Sequence, residues 1–443
     1  NMKRLFMALL LLLPAFSMTN KVHAEGKFSV PFEKYTLPNG LDVIFHLDRS
    51  DPIVAIAIQY HVGSNREKPG KTGFAHLFEH LMFGGTDDVP AFDTPVMIAG
   101  GENNAFTNND ITNYFITLPA NNLETALWLE ADRMEGLDLS ESRLRIQKSV
   151  VTEEYRQRYL NQPYGDLMLL LRPLAFRRHP YMWPAIGKDI SHIEKADSRR
   201  VKEFYHKHYN PSNAILCVAG NVHPDQVFSM AEKWFGDIAP GRRNIHDLPQ
   251  EPPQTDRREV TARRRVPAAH LVMAFHTEKR ESREFYVLDL LTDILSGCDS
   301  GRFPEILVRK KELFSEADIY LSGEIDPGLV IFSGRLRNGA DIAKAEEAVW
   351  DELDRISTRQ VTVAELDKAR NRYEASRLMS YVSAGNKAFN LAFQELLGDA
   401  NGINTEIERY MSVTSAEIRE CSATTFRPGN CSVIHYLPES HEE

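Results

Sequence analysis

The chain has only four cysteines in 443 residues, at positions 217, 298, 421 and 431. Their spacings fit neither a zinc ribbon nor a redox pair, and none stands in a catalytic setting. Only Cys421 and Cys431 lie close enough in sequence to suggest a disulfide. No glycine-rich phosphate loop occurs, which removes the common nucleotide-binding signatures. There is no low-complexity tract either. The one long apolar run, Leu5 to Leu13, falls well short of the roughly 20 residues that a membrane-spanning helix needs. Basic charge is in deficit: 52 Lys and Arg stand against 62 Asp and Glu, a net charge of −10 that argues against a nucleic-acid partner.

What is present begins with Lys3 and Arg4, then that apolar run, then Val22-His23-Ala24 with small residues at the positions a signal peptidase reads. We expect residues 1–24 to be a signal peptide cleaved near Ala24, with export to a bacterial periplasm and no stable membrane anchor. Its loss removes three basic residues and no acid, leaving −13.

At this length two domains are the natural expectation. Tyr209-Asn210-Pro211-Ser212-Asn213 leads into an apolar strand at 214–218, and Phe426-Arg427-Pro428-Gly429-Asn430 leads into another 217 residues later. Asp51-Pro52 leads the strand 53–60, and Val266-Pro267 leads 268–276, an offset of 215. Two matches at nearly one spacing argue for duplicated domains of about 200 residues. Between them lies a stretch rich in Pro, Arg, Asp and Gln. The layout expected is a first domain at 25–238, a linker at 239–258 and a homologous domain at 259–443. Leu37-Pro38-Asn39-Gly40 reads as a hairpin turn, while 122–134 and 144–159 have helical period. The fold class is therefore α+β, each domain a mostly antiparallel sheet with helices on one side.

The chemistry concentrates at residues 69–86. Thr72 can cap a helix whose Phe74, Leu77, Phe78, Leu81 and Met82 are core-forming. The remaining stripe holds His76, Glu79, His80 and Phe83, spaced to share one face. Two imidazoles and a carboxylate on a buried helix need partners, since an unpaired buried polar group costs about 1–3 kcal/mol. One metal ion meets that need for the whole set. Histidines four residues apart can both reach a Zn²⁺, and the order His-x-x-Glu-His is a metallopeptidase signature. Zinc acidifies water towards a pKa of about 7, and Glu79 is placed to take the proton and pass it to a leaving amine.

A catalytic zinc needs a third protein ligand. In the helical segment that follows, Glu154 shares a face with Gln147, Val150 and Val151, which we expect to point inward. Glu154 is the expected ligand, with Glu153 beside it as the alternative.

Gly73 to Phe83 resembles the pitrilysin/insulinase family of metallopeptidases, which includes the mitochondrial processing peptidases. So do Asn104-Ala105-Phe106-Thr107, Thr112-Asn113-Tyr114 and the Val150 to Glu154 run. The resemblance implies one Zn²⁺ per chain on His76, His80 and Glu154, with Glu79 as general base. It makes Asn104, Ala105, Phe106 and Thr107 a substrate-binding edge strand; from the residues alone this is an ordinary strand. The shorter bacterial members have two homologous domains per chain, two chains closing into a chamber. Two positions depart from the pattern. Gln147 stands where a Glu often supports the site, and Glu316 stands where a Tyr should follow the matching Arg309 by seven residues. The second half, not expected to bind metal, therefore does not complete the site. The expected partner is a second homologous chain, without the zinc motif, that supplies the Arg and Tyr; a homodimer is disfavoured. The expected activity is exported zinc endopeptidase action on peptides or unfolded segments. The competing expectation is a non-enzymatic peptide-binding or scaffold member of the same family.

Overall fold

A computed structural model describes residues 28–245 and 247–439. The expected signal peptide lies outside the described residues. Two sheets organise the chain. The first contains β1 (Glu33–Thr36), β2 (Asp42–Leu47), β3 (Ile53–Tyr60), β4 (Glu102–Thr107), β5 (Thr112–Pro119) and β6 (Ala214–Gly220), in the order β1-β2-β6-β3-β5-β4. The second contains β7 (Arg258–Arg264), β8 (His270–His276), β9 (Phe314–Leu321), β10 (Leu329–Leu336) and β11 (Cys431–Pro438), in the order β7-β11-β8-β10-β9.

Without β1 the two orders are the same, β6 and β11 holding equivalent places, as do β3 and β8. Even the exceptional parallel pairs correspond, β2 with β6 and β7 with β11. The duplicated α+β architecture expected from the sequence offsets is what the chain adopts. The Asn39-Gly40 turn joins β1 to β2, with Gly40 at φ 88° where an L side chain is disfavoured.

Strand alternation then decides the packing. On β3, Val54, Ile56, Ile58 and Tyr60 face the first half's own helices, including Phe74–Leu81 and Leu123–Glu135. Ala55 and Ala57 face the other way, and there the helix Ala384–Leu397 of the second half lies on the sheet through Ala384, Ala388 and Ala392. Small residues on both surfaces let strand and helix approach closely. The exchange is reciprocal. Helix Leu167–Ala175 of the first half packs Leu171 and Ala175 on Val272, Ala274 and Ile331 of the second sheet. Each sheet is thus covered by its own helices on one face and by a helix of the other half on the opposite face. At about 1.5–3 kcal/mol per buried aliphatic side chain, this exchange joins the halves strongly.

Residues 239–257 contain no helix or strand among those described. They run along both halves: Asn244 bonds to His61 and Asn213, the Glu251 carboxylate accepts the amides of residues 177–179, and Gln254 reaches the Cys431 carbonyl. All four cysteines are free thiols, so Cys421 and Cys431 do not form the disulfide that their proximity in sequence suggests. One sits in a helix and the other in β11, each packed as a small apolar side chain.

Candidate metal centre

The His-x-x-Glu-His run lies on helix Phe74–Leu81, with Phe74, Leu77, Phe78 and Leu81 buried. Phe78 stacks on Phe204 and Tyr205, and the Tyr114 hydroxyl donates to the Phe78 carbonyl at 3.3 Å. The start of the helix differs from expectation. Thr72 does not cap it, because its hydroxyl is bonded to His192 Nδ1 and to the Lys188 amide. The first helical turn instead donates to the buried Glu67 carboxylate, Gly73 N–H and Ala75 N–H each at 2.9 Å. An anion at a helix N-terminus is favoured by the helix dipole. Burial nevertheless pushes the Glu67 pKa up to about 8.

Helix Glu141–Tyr155 packs along the first and brings Glu154 to the two histidines. Glu154 Oε2 lies 3.6 Å from His76 Nε2 and 3.2 Å from His80 Nε2. Potential ligand atoms of the three residues all lie within 4.8 Å of one another, and theirs is the only such His/Cys/Asp/Glu group among the described residues. Burial, reinforced by His80, pushes the His76 pKa down to about 4, so its ring is neutral at physiological pH. Its Nδ1 is buried with no hydrogen-bond partner. Two imidazoles and a carboxylate are donors that zinc prefers, and an ion at Nε2 would give the buried His76 ring a partner. The residues present fit the metal. The bond to His80 holds the Glu154 pKa below the ordinary carboxylate range, leaving it an anionic donor. Its other oxygen takes Arg158 Nη1 at 2.7 Å, from the wide turn Arg156–Leu160 that continues the helix.

Glu153, the alternative ligand, is exposed beside Arg156 and Gln157. Val150 is a correction: it is 44% exposed, and Ile146 one turn before it is 53% exposed. Val151 is buried as expected, so only part of the face shared with Glu154 turns inward. Gln147 is half-buried on the same helix.

Glu79 points from the metal-site helix towards β4. Burial raises its pKa, against which a hydrogen bond to the Thr107 side chain acts, and a carboxylate so raised is a better proton acceptor. β4 is the edge of its sheet, with Asn104 exposed and Ala105, Phe106 and Thr107 half-buried. Phe106 packs on Phe389 of the exchanged helix at 5.6 Å. The Phe74–Leu81 helix touches both β4 and the Glu154 helix, so it lies between the edge strand and the Glu154 carboxylate. In the second half, Arg309 pairs with Glu305 at 3.2 Å and Glu316 with Arg335 at 3.1 Å. Glu67 and Arg158 were not anticipated: acids and arginines in polar turns carry no periodic signal, and their partners appear only once the chain folds.

Comparison with known proteins follows this geometry. Residues 42–180 match the model of the insulinase family, peptidase family M16, and residues 195–373 match the model described as the peptidase M16 inactive domain. The chain is 28% identical over 426 residues to zinc protease PqqE of Helicobacter pylori, covering 94% of this chain and 95% of that one. It superposes on the crystal structure of a protease from Helicobacter pylori with a TM-score of 0.88 at 27% identity, over 93% of this chain and all of that one. The periplasmic protease PqqL from Escherichia coli shares the fold, with a TM-score of 0.75 at 15% identity; 93% of this chain matches 48% of that one.

Proposed function

Because the chain belongs to the insulinase family of M16 peptidases, we propose that it is a zinc metalloendopeptidase acting on peptides or unfolded segments. The observation that carries this reading is the convergence of His76, His80 and Glu154 beside Glu79. Those three side chains hold one Zn²⁺, which when bound supplies Lewis acidity to the scissile carbonyl and lowers the pKa of water. Glu79 takes a proton from the attacking water and delivers it to the leaving nitrogen. Its raised pKa suits both steps, acceptance and release. Asn104 to Thr107 offer an open strand edge to which an extended peptide can add by backbone hydrogen bonds, giving affinity with little demand on sequence.

The reading extends to an assembly. Glu316 stands seven residues after Arg309, where a Tyr would be needed, so on this reading the second half does not supply an Arg/Tyr pair for a substrate carbonyl. We assign that pair to a second homologous chain without the zinc motif, this chain being the catalytic subunit. The layout of 25–238, 239–258 and 259–443 and a periplasmic location belong to the same proposal. No helix among the described residues is long and apolar enough to cross a membrane, and PqqL, which shares the fold, is described as periplasmic.

Elemental analysis should find one zinc per chain. Turnover of an unfolded reporter peptide, with the partner chain present, should fall by about 10²–10⁴-fold in Glu79→Gln. Bound zinc without turnover in any combination of chains would favour a peptide-binding scaffold instead. Full activity of the isolated chain would refute the requirement for a partner.

A further inference from the structure

We infer that Asp110 is a positioning residue, tying the second half of the chain to the start of the helix that carries His76, Glu79 and His80. Its relevance to catalysis rests on the peptidase reading above; its structural content does not.

Asp110 is 3% exposed in the turn between β4 and β5. Its Oδ1 accepts from Asn65 Nδ2 at 2.9 Å and from the Tyr181 hydroxyl at 2.5 Å. Its Oδ2 accepts from the backbone N–H of Ile325 at 3.0 Å. Ile325 belongs to the loop between β9 and β10, so one carboxylate joins the two halves. The contact is reinforced around it: Asp326 N–H donates to the Tyr181 hydroxyl at 3.0 Å, and Arg172 donates to Glu324 at 2.8 Å and to the Tyr181 carbonyl at 3.2 Å. His179 lies 3.3 Å from Asp326.

The other arm leads to the metal site. The segment holding Asn65 lies on the turn holding Asp110, with Ser64 N–H bonded to the Asn108 carbonyl and Asn65 N–H to that of Asn109. A Cβ at Gly63 would sit 2.5 Å from the Asn108 and Asn109 carbonyl oxygens, so only glycine allows this approach. Two residues beyond Asn65, Glu67 receives the first amides of the metal-site helix. The path from Ile325 to Ala75 thus runs through two buried carboxylates and one short backbone segment.

A carboxylate suits the junction because it faces three donors and offers none. An asparagine would turn an N–H₂ group towards at least one of them, leaving buried donors opposed. A simple staple between halves would need the same bonds, but it would not govern the helix beyond Glu67. That difference makes the inference testable.

The experiment compares wild-type full-length chain with Asp110→Asn and Tyr181→Phe, reading zinc affinity by chelator competition and amide hydrogen exchange of residues 73–81. Asp110→Asn should weaken zinc about 10–100-fold, the range seen when groups supporting metal ligands are altered. It should also speed exchange in 73–81 while β2, β3 and β6 keep their protection. Tyr181→Phe removes one donor of three and should shift both readouts less, in the same direction. Lower overall stability with wild-type zinc affinity and wild-type exchange at 73–81 would overturn the inference. Should Asp110→Asn not fold, an unshifted Tyr181→Phe would overturn it equally. Failure of the peptidase reading would appear separately, as absence of zinc-dependent turnover in wild type, with exchange in the zinc-free protein still deciding this point.

Discussion

Apart from β1 the two halves share one strand order, and they differ most for function at one helix. The helix after β3 carries His76, Glu79 and His80; at the 215-residue offset the helix after β8 carries Leu291, Ile294 and Leu295, all buried. Several of their acids differ as well. Asp110 and Glu67, held up to about 6 and about 8, lie in the first half. Glu346, Glu365 and Glu417, held down to about 2, lie in the second, as does Lys387, the partner that does the same for Asp48. Neither half uses one device alone: burial also raises Asp289 and Asp293 in the second half, and Lys387 holds Asp48 down in the first. What separates the copies is the helix that follows β3 and β8, where His76, Glu79 and His80 stand against Leu291, Ile294 and Leu295.

The largest expected effect removes the site. Glu154→Gln or His76→Ala should drop bound zinc from one per chain to near none by elemental analysis, with the melting temperature of the zinc-free protein little changed. The mirror change is Leu295→Ala in the second half, where a fully buried side chain is lost. It should cost about 2–5 kcal/mol in denaturant unfolding while zinc stoichiometry stays at one. Equal zinc loss in both variants would mean that the halves do not divide their tasks in this way.

How much of this was legible beforehand depended on the range of the interactions. His76, Glu79 and His80 stood out because their spacing places them on one helical turn, and Glu154 followed from a second helical period. The duplication was legible from two pairs of proline-led strands at nearly one offset. Val150 was misassigned because an exposed aliphatic side chain on a helix can have the same periodicity as one facing a core. The helix exchange was invisible: Ala55 and Ala57 suit a closely packed sheet face without saying which helix covers it. Asp110 and Glu67 were missed because a buried acid in a turn looks like a solvated one until its partners, Ile325 among them, are in place.

The pH dependence of stability sharpens the comparison next. Against the upward push of burial, bonds from His435, Arg257 and Trp350 hold Glu346 down to about 2 from an ordinary 4.5. A lowered folded-state pKa gives stability that is present above about 4.5 and lost as pH falls towards 2. Asp110 has the opposite sign: its raised pKa favours the folded state below its ordinary 3.8, and that contribution is lost as pH rises through about 6. Glu346→Gln should therefore flatten the acid limb of unfolding free energy between about pH 4.5 and 2, by on the order of 2–3 kcal/mol. An unchanged acid limb would show that the Arg257–Glu346–His435 group contributes nothing net.

The smallest effect concerns how helices begin. In the second half, helices Val363–Ser380 and Ser415–Thr425 start on local capping boxes, Thr362 with Glu365 and Thr414 with Glu417. Each is a four-residue pattern that needs nothing from the rest of the fold. The metal-site helix has no such cap and depends on Glu67, itself placed through the turn that Asp110 holds. Thr414→Ala should cost about 1 kcal/mol in unfolding free energy, with hydrogen exchange quickened only around residues 415–418. Thr72→Ala, at the position where a local cap would sit, should leave the amides of Gly73 and Ala75 as protected as in wild type, since Glu67 and not Thr72 receives them. Loss of that protection would mean that Thr72, through Lys188 and His192, helps to place the helix start after all, and the contrast between those locally capped helices and the remotely capped metal-site helix would fail.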